Sequence, residues 1–359
     1  MMSRSLTYSA GLDGLTARVA RKVMADKAMI VPFADFTDFL TDLLGLYYHP
    51  VARLIGAGQV EPEVAQAADR AEMTLTEQLG VSPFAGDLES VLASVVSPHD
   101  VIYVANPNRI TGANFSVADL EAMARAVPKG MLIVDEYYFD YWGISALPLL
   151  DVLSNVVVLR SFTASFSINS SDAGFAVSNP STIERLKHAH QGKRISLTIQ
   201  KTMLATLTNA EAMSNRLQEV HDESLRFATS LNKLGVQCRI CPTDFLLIRV
   251  ADPKSAGNHL AAFNIPIENL DGYPQMKNYI RYRIQSYNSN DKLINAFGKM
   301  PEGYYRMRKS DPRATTVRRG APDESEGEKP SDSGVSLNAD SVTDRSRGAK
   351  PSRKEETVS

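Results

Sequence analysis

Four short runs in this chain are apolar almost without interruption: Val101-Ile-Tyr-Val-Ala, Met131-Leu-Ile-Val-Asp, Asn155-Val-Val-Val-Leu-Arg and Gly174-Phe-Ala-Val-Ser. A strand with one face in water alternates apolar and polar side chains, so runs like these belong to strands buried on both faces. Helices must then cover the sheet from both sides. Val117–Val127 and Thr182–His190 have the apolar spacing of such helices. The expected class is α/β, with a large domain built on a mostly parallel sheet.

The second half of the chain has a different rhythm. A long amphipathic stretch, Asn209 to Leu234, stops at Gly235, a common helix terminator. Strand-like runs follow at Val236-Gln-Cys-Arg-Ile, Phe245-Leu-Leu-Ile-Arg-Val and Asn278-Tyr-Ile-Arg-Tyr-Arg-Ile, with helices near Ala256–Phe263 and Asp291–Phe297. That order predicts a smaller α+β C-terminal domain. From Lys309 onward there is no aromatic residue and almost no aliphatic one larger than valine. Such a segment buries too little surface to offset its ordering entropy. The expected layout is a large domain over 1–208, a linking helix and small domain over 209–308, and a disordered tail over 309–359.

Lysine and arginine total 39 against 41 acidic residues, a net charge of −2 that provides no field to attract nucleic acid or an anionic membrane. Apolar runs such as Met131 to Val134, ended by Asp135, fall far short of the roughly 20 residues that cross a bilayer. The N-terminal Met-Met-Ser-Arg-Ser-Leu-Thr has no signal-peptide core, and the two cysteines make no disulfide framework. The expected location is the cytoplasm. Cys238-Arg-Ile-Cys241 has redox spacing, but no second pair completes a zinc site, and ordinary packing is the preferred reading.

Three stretches occur in order: Ala105-Asn-Pro-Asn-Arg-Ile-Thr-Gly112, Val134-Asp-Glu-Tyr-Tyr138, and Arg160-Ser-Phe-Thr-Ala-Ser-Phe166 followed by Ala173-Gly-Phe. On these residues the chain resembles the fold type I pyridoxal-phosphate aminotransferases, closest to the histidinol-phosphate aminotransferase and threonine-phosphate decarboxylase branch. That branch carries an N-P-N-N-P-T-G loop, a D-E-A-Y strand end and an R-T-F-S-K-A-F/Y-G-L-A-G-L-R-I-G segment. The resemblance covers about residues 8–300, without the family's N-terminal arm. It implies that Asp135 pairs the cofactor's ring nitrogen, that Tyr138 touches its phenolic oxygen and that Arg281 holds a substrate carboxylate.

The departures from that pattern fall in one pocket. The Schiff-base lysine aligns with Ala164, whose methyl group can neither bond the cofactor nor move a proton. No lysine occurs from Gly130 through Leu186, so a slipped alignment does not restore one. The phosphate-gripping arginine aligns with Asp172. Removing one partner of a buried ion pair costs about 3–5 kcal/mol, and reversing its charge costs more. The phosphate cradle aligns with Phe33-Ala-Asp-Phe, losing a hydroxyl at Ala34 and placing Asp35 beside it. The asparagine for the phenolic oxygen aligns with Arg109, and the stacking aromatic aligns near Val64.

Candidate catalytic residues are Asp135 and Tyr138, against a structural role capping the strand end. Candidate ligand contacts are Arg281, Arg109, Asn106, Ser161 and Thr163. Arg281 suits a carboxylate because a guanidinium grips two oxygens at once. The alternative is that Arg281, which alternates with Arg283 along one strand, lies on a solvated or salt-bridged face. Arg109 either takes an anion or pairs with Asp172, and the pairing is preferred. The hydroxyl-rich run Ser161-Phe-Thr-Ala-Ser-Phe-Ser leaves a strand where open α/β sheets place ligands, although solvation explains it as well. The expected function is an aminotransferase-fold protein without cofactor, acting as a non-catalytic partner subunit or ligand-binding pseudoenzyme. Its partners would be a small amino-acid-like carboxylate and either a second copy or an active paralogue, with no nucleic acid or membrane. Two alternatives stand: a cofactor-independent lyase, isomerase or cyclase, and an aminotransferase using a relocated Lys193 or Lys201.

Overall fold

The fold is taken from a computed structural model that describes residues 2–162, 164, 172–190 and 195–307, with backbone alone for 2–11. The expectation of a disordered tail, and those for Thr163 and Lys193, lie outside the described residues. The described residues fall within one compact unit.

Strands β1 (Ile30–Phe33), β2 (Leu54–Ala57), β3 (Leu75–Gln78), β4 (Val101–Ala105), β5 (Met131–Asp135), β6 (Val156–Ser161) and β7 (Gly174–Val177) form a sheet in the order β1-β7-β6-β5-β4-β2-β3. Only β7 runs against its neighbours, β1 and β6; the other pairings are parallel. The four runs that open the sequence argument are β4 to β7, and every residue of β4, β5 and β7 is buried.

The reason is visible in the two core layers. Helices α1 (Met2–Val23), α2 (Phe36–Leu46), α3 (Pro62–Arg70), α4 (Leu88–Ser94), α5 (Val117–Ala126), α6 (Phe139–Trp142), α7 (Pro180–Ala189) and α8 (Leu197–Thr208) surround the sheet. Tyr103, Ile133 and Val157 pack with Phe39, Leu40 and Leu43 of α2 and Ile183 of α7 on one face. Ile102, Leu132 and Val158 pack with Leu120 and Met123 of α5 on the other. Alternate residues thus meet different helices.

Helix α9 (Ala210–Lys233) leads to a second sheet of β8 (Cys238–Ile240), β9 (Phe245–Arg249), β10 (Glu268–Asn269) and β11 (Tyr279–Arg283), all antiparallel, in the order β10-β11-β9-β8. Helices α10 (Pro253–Ala262), α11 (Tyr287–Gly298) and α12 (Glu302–Tyr305) complete this part. One face of the small sheet packs Leu246, Ile248 and Ile280 on Phe227 and Leu231 of α9 and Leu293 of α11. The other face sets Phe245, Leu247 and Tyr279 against Ile110 and Tyr138 of the large sheet's loops. The small sheet therefore roofs the loops that leave β4 and β5. Among the described residues no helix is long and apolar enough to cross a membrane.

Candidate active site at the carboxyl edge of the large sheet

The loop after β4 is fixed by its own asparagines. Asn106 is buried and closes a double bond with Phe115, its Nδ2 donating to the carbonyl at 3.1 Å and its Oδ1 accepting from the amide at 2.8 Å. Asn108 Oδ1 accepts from the amides of Ile110 and Thr111, both at 3.0 Å, while its Nδ2 donates to the Gln59 carbonyl at 2.8 Å. These bonds hold the loop's shape, the role the structure gives Asn106, which the sequence marks as a ligand contact. Gly112 (φ +70°) closes the turn, and a Cβ there would lie 2.6 Å from the Cβ of Cys241. Cys241 is buried against this turn and Cys238 is half-buried on β8, both as free thiols. Burial pushes their pKa values up to about 12 and about 11, leaving little thiolate for redox chemistry.

Arg109 reaches from this loop to the end of β5. Its Nη1 lies 3.5 Å from Asp135 Oδ2 and its Nε lies 3.5 Å from Glu61 Oε1. The guanidinium carbon stands 4.2 Å from the centre of the Tyr137 ring, a cation–π distance. The preferred pairing of Arg109 with Asp172 is thus corrected: the deeper carboxylates, Asp135 and Glu61, take the charge. Both are buried, and charges that leave water need a counter-charge more than a surface group such as Asp172 does.

Asp135 also accepts from the Tyr103 hydroxyl at 2.7 Å and the Tyr137 amide at 3.0 Å. Burial raises its pKa above the ordinary carboxylate value, with Arg109 and Tyr103 working in the opposite direction. Burial pushes Glu61 up to about 7, opposed by Arg109 and reinforced by Asp135. Burial also works against the Arg109 charge, but Glu61 and Asp135 outweigh it and hold the guanidinium well above its usual pKa.

Tyr138 points its chemistry elsewhere. Its hydroxyl donates to Asp244 Oδ1 at 2.9 Å, and Arg283 Nη1 donates to Asp244 Oδ2 at 2.7 Å. Burial and the Asp244 charge keep the Tyr138 hydroxyl well above its ordinary pKa. Tyr138 thus ties the N-terminus of α6 to the small sheet, and Arg283 is ion-paired, as is Arg281, for which a salt-bridged face is the alternative reading. Arg281 lies at the mouth of the same region, donating to the backbone carbonyl of Arg109 and forking onto Glu268.

The other positions can be placed. Ser161 Oγ accepts from the Ala164 amide at 3.1 Å. Ala164 is buried. Ser161, Arg109, Asp135, Tyr137 and Asp172 all line one half-open pocket, together with Phe33 and Phe36. Asp35 caps α2 by accepting from the Asp38 amide at 2.8 Å. Val64 is buried in the large core on α3 and does not reach the cavity, while Lys201 is exposed on α8. Glu61 and Tyr137 were not anticipated. Their signals are an acidic residue before the proline that starts α3, and a tyrosine where the D-E-A-Y motif has alanine.

The sheet order, the roofing small domain and the site at the strands' carboxyl ends define a class of protein, and the sequence places the chain within it. The chain belongs to the class I and II aminotransferase family, whose profile matches residues 65–276. It is 29% identical over 202 residues to the histidinol-phosphate aminotransferase of Chlorobium luteolum, covering 56% of each chain. It is 33% identical over 188 residues to the aromatic amino acid aminotransferase of Rhodococcus erythropolis, covering 52% of this chain and 51% of that one. The matched part thus spans little more than half the length of these relatives. Among solved structures, the histidinol-phosphate aminotransferase of Sinorhizobium meliloti in complex with pyridoxal-5'-phosphate superposes with a TM-score of 0.72 at 19% identity, over 80% of this chain and 81% of that one.

Proposed function

We propose that the chain is an aminotransferase-fold protein that works without pyridoxal phosphate, as a non-catalytic partner subunit or a ligand-binding pseudoenzyme. The observation that carries this reading is the guanidinium of Arg109, held between Asp135 and Glu61 under the Tyr137 ring. In the pattern the chain resembles, Asp135 would be the counter-charge of the cofactor ring, and here Arg109 has that charge. The pocket wall carries the Asp172 carboxylate, which repels a phosphate, and the buried residue at the lysine position is Ala164. These residues do not fit the cofactor. The cofactor-independent lyase ranks second, because Asp135 and Tyr138 already have partners within the protein.

Two experiments test the reading. Protein incubated with pyridoxal phosphate and reduced with borohydride is expected to show no stoichiometric label on any one lysine in peptide maps. A label on Lys193 or Lys201 would establish the relocated-lysine alternative instead. Ala164→Lys alone is expected to give no transamination of amino acids supplied with excess cofactor. Measurable half-reactions require Asp172→Arg, Ala34→Ser and Arg109→Asn in addition, since like charges about 4 Å apart repel by roughly 4 kcal/mol at an effective dielectric near 20. Activity in the single variant would mean that the phosphate cradle is intact. Co-purification from the native host separates the two roles: a bound active paralogue marks a partner subunit, and a homodimer carrying a metabolite marks a ligand-binding protein.

A further inference from the structure

The arginine expected to grip a ligand's carboxylate already grips one that the chain supplies. Arg281 Nε donates to Glu268 Oε2 at 2.9 Å, and its Nη2 lies 2.6 Å from both Glu268 oxygens. Its Nη1 donates to the carbonyl of Arg109. The Nε–Nη2 edge, which offers a carboxylate two parallel donors, is thus taken by Glu268, and a second carboxylate gains that edge only where Glu268 gives it up.

The two partners are anchored unequally. Glu268 stands directly opposite Arg281 in the β10–β11 register, which puts the side chains on one face. Arg281 sits in an inner strand of the small sheet, bonded to the Arg109 loop and 5.0 Å from the Phe245 ring. Its side chain is 19% exposed, against 51% for Glu268. Glu268 belongs to a two-residue strand at the sheet edge, and both of its residues are exposed. The cation is fixed, while the anion is on the element most easily moved.

Resting on the ligand-binding reading above, we propose that Glu268 is an intramolecular competitor that latches Arg281, so that a small carboxylate enters the site only by displacing it. The latch sets a threshold: weak carboxylates leave the site closed, and one with further contacts opens it. A half-exposed ion pair is modest, so removing it tightens carboxylate binding by about fivefold.

The test is calorimetric titration of the full chain with 3-phenylpropionate and with its carboxamide. Glu268→Gln is expected to bind the carboxylate about fivefold more tightly than the wild type, with no change for the carboxamide. The gain should vanish in the Glu268→Gln/Arg281→Ala double variant. Glu268→Ala serves as a second variant if the glutamine form folds poorly. In the wild type, saturating 3-phenylpropionate should shift both the Arg281 Nε–H and the Glu268 carboxyl resonances. Equal affinity in wild type and both Glu268 variants, binding that leaves the Glu268 resonance unmoved, or no binding to any form would overturn the latch. A cofactor trapped on a lysine in the borohydride experiment would overturn the underlying reading instead, so the two failures are separable.

Discussion

Replacing Arg109 with leucine is expected to cost about 3–5 kcal/mol of stability at pH 8, the usual penalty for stripping the partner from a buried charge. The guanidinium stands 3.5 Å from both Glu61 and Asp135, and neither carboxylate reaches solvent to any extent. The loss should shrink at pH 5. Glu61 in the folded protein titrates near 7, above its ordinary value of 4.5, so between those values the folded state holds a proton that the unfolded state has released. Stability from this group is therefore complete below about pH 4.5 and falls as the pH rises toward 7. Without Arg109 both carboxylates move further up, and the window extends to higher pH. Urea unfolding at pH 5, 6.5 and 8 reads this directly. Parallel pH profiles for wild type and Arg109→Leu would show that Arg109 is not the counter-charge, and Glu61→Gln should flatten the wild-type slope between pH 5 and 7.

Asp244→Ala should cost about 1–3 kcal/mol, chiefly the penalty of a buried hydroxyl left without its acceptor, since half-exposed Arg283 can turn to water. Asp244 is wholly buried and accepts from both Tyr138 and Arg283. Its loss leaves the buried Tyr138 hydroxyl unbonded and Arg283 without its counter-charge. Tyr138→Phe removes donor and need together and should cost only about 1 kcal/mol. In the double variant the costs should fall short of additivity, because the orphaned hydroxyl is gone. Chemical denaturation of the four proteins gives the coupling energy; additive costs would mean that Tyr138 and Asp244 do not share a bond.

The central strands were legible because burial on both faces removes polar residues from them: Val101–Ala105 and Met131–Asp135 needed nothing beyond their composition. Edge strand β3, Leu-Thr-Glu-Gln, meets solvent along its length and offers no such contrast. In strand β2 the run of large apolar residues is interrupted by Gly56, where a Cβ would lie 2.7 Å from Val60 Cγ1. Helix α8 escaped notice because it runs almost directly into α9. In the site, Asp135, Arg109 and Arg281 stood out through the motifs that contain them. Their partners did not. Glu61 lies 48 positions before Arg109, and Asp244 lies 106 after Tyr138; which acid meets which base is decided by packing, and no local spacing encodes it. Arg109 was accordingly matched to Asp172, the acid suggested by alignment, when the fold offered two that were buried.

The clamp around Arg109 also constrains the order in which substitutions can accumulate. Arg109→Asn, the change that would free Asp135, leaves two acids in the interior with no cation between them. Ala164→Lys introduces a long amine into a buried alanine's space before any group is there to receive it. Each step toward a cofactor pocket lowers stability when taken alone, and only the set restores what its members lose. On the function proposed above, a lineage carrying this clamp would reach cofactor binding only through less stable variants, whereas substitutions at exposed Glu268 cross no such barrier. On that same proposal, variation in this chain would retune which carboxylates its pocket admits far more readily than it would admit a pyridine ring.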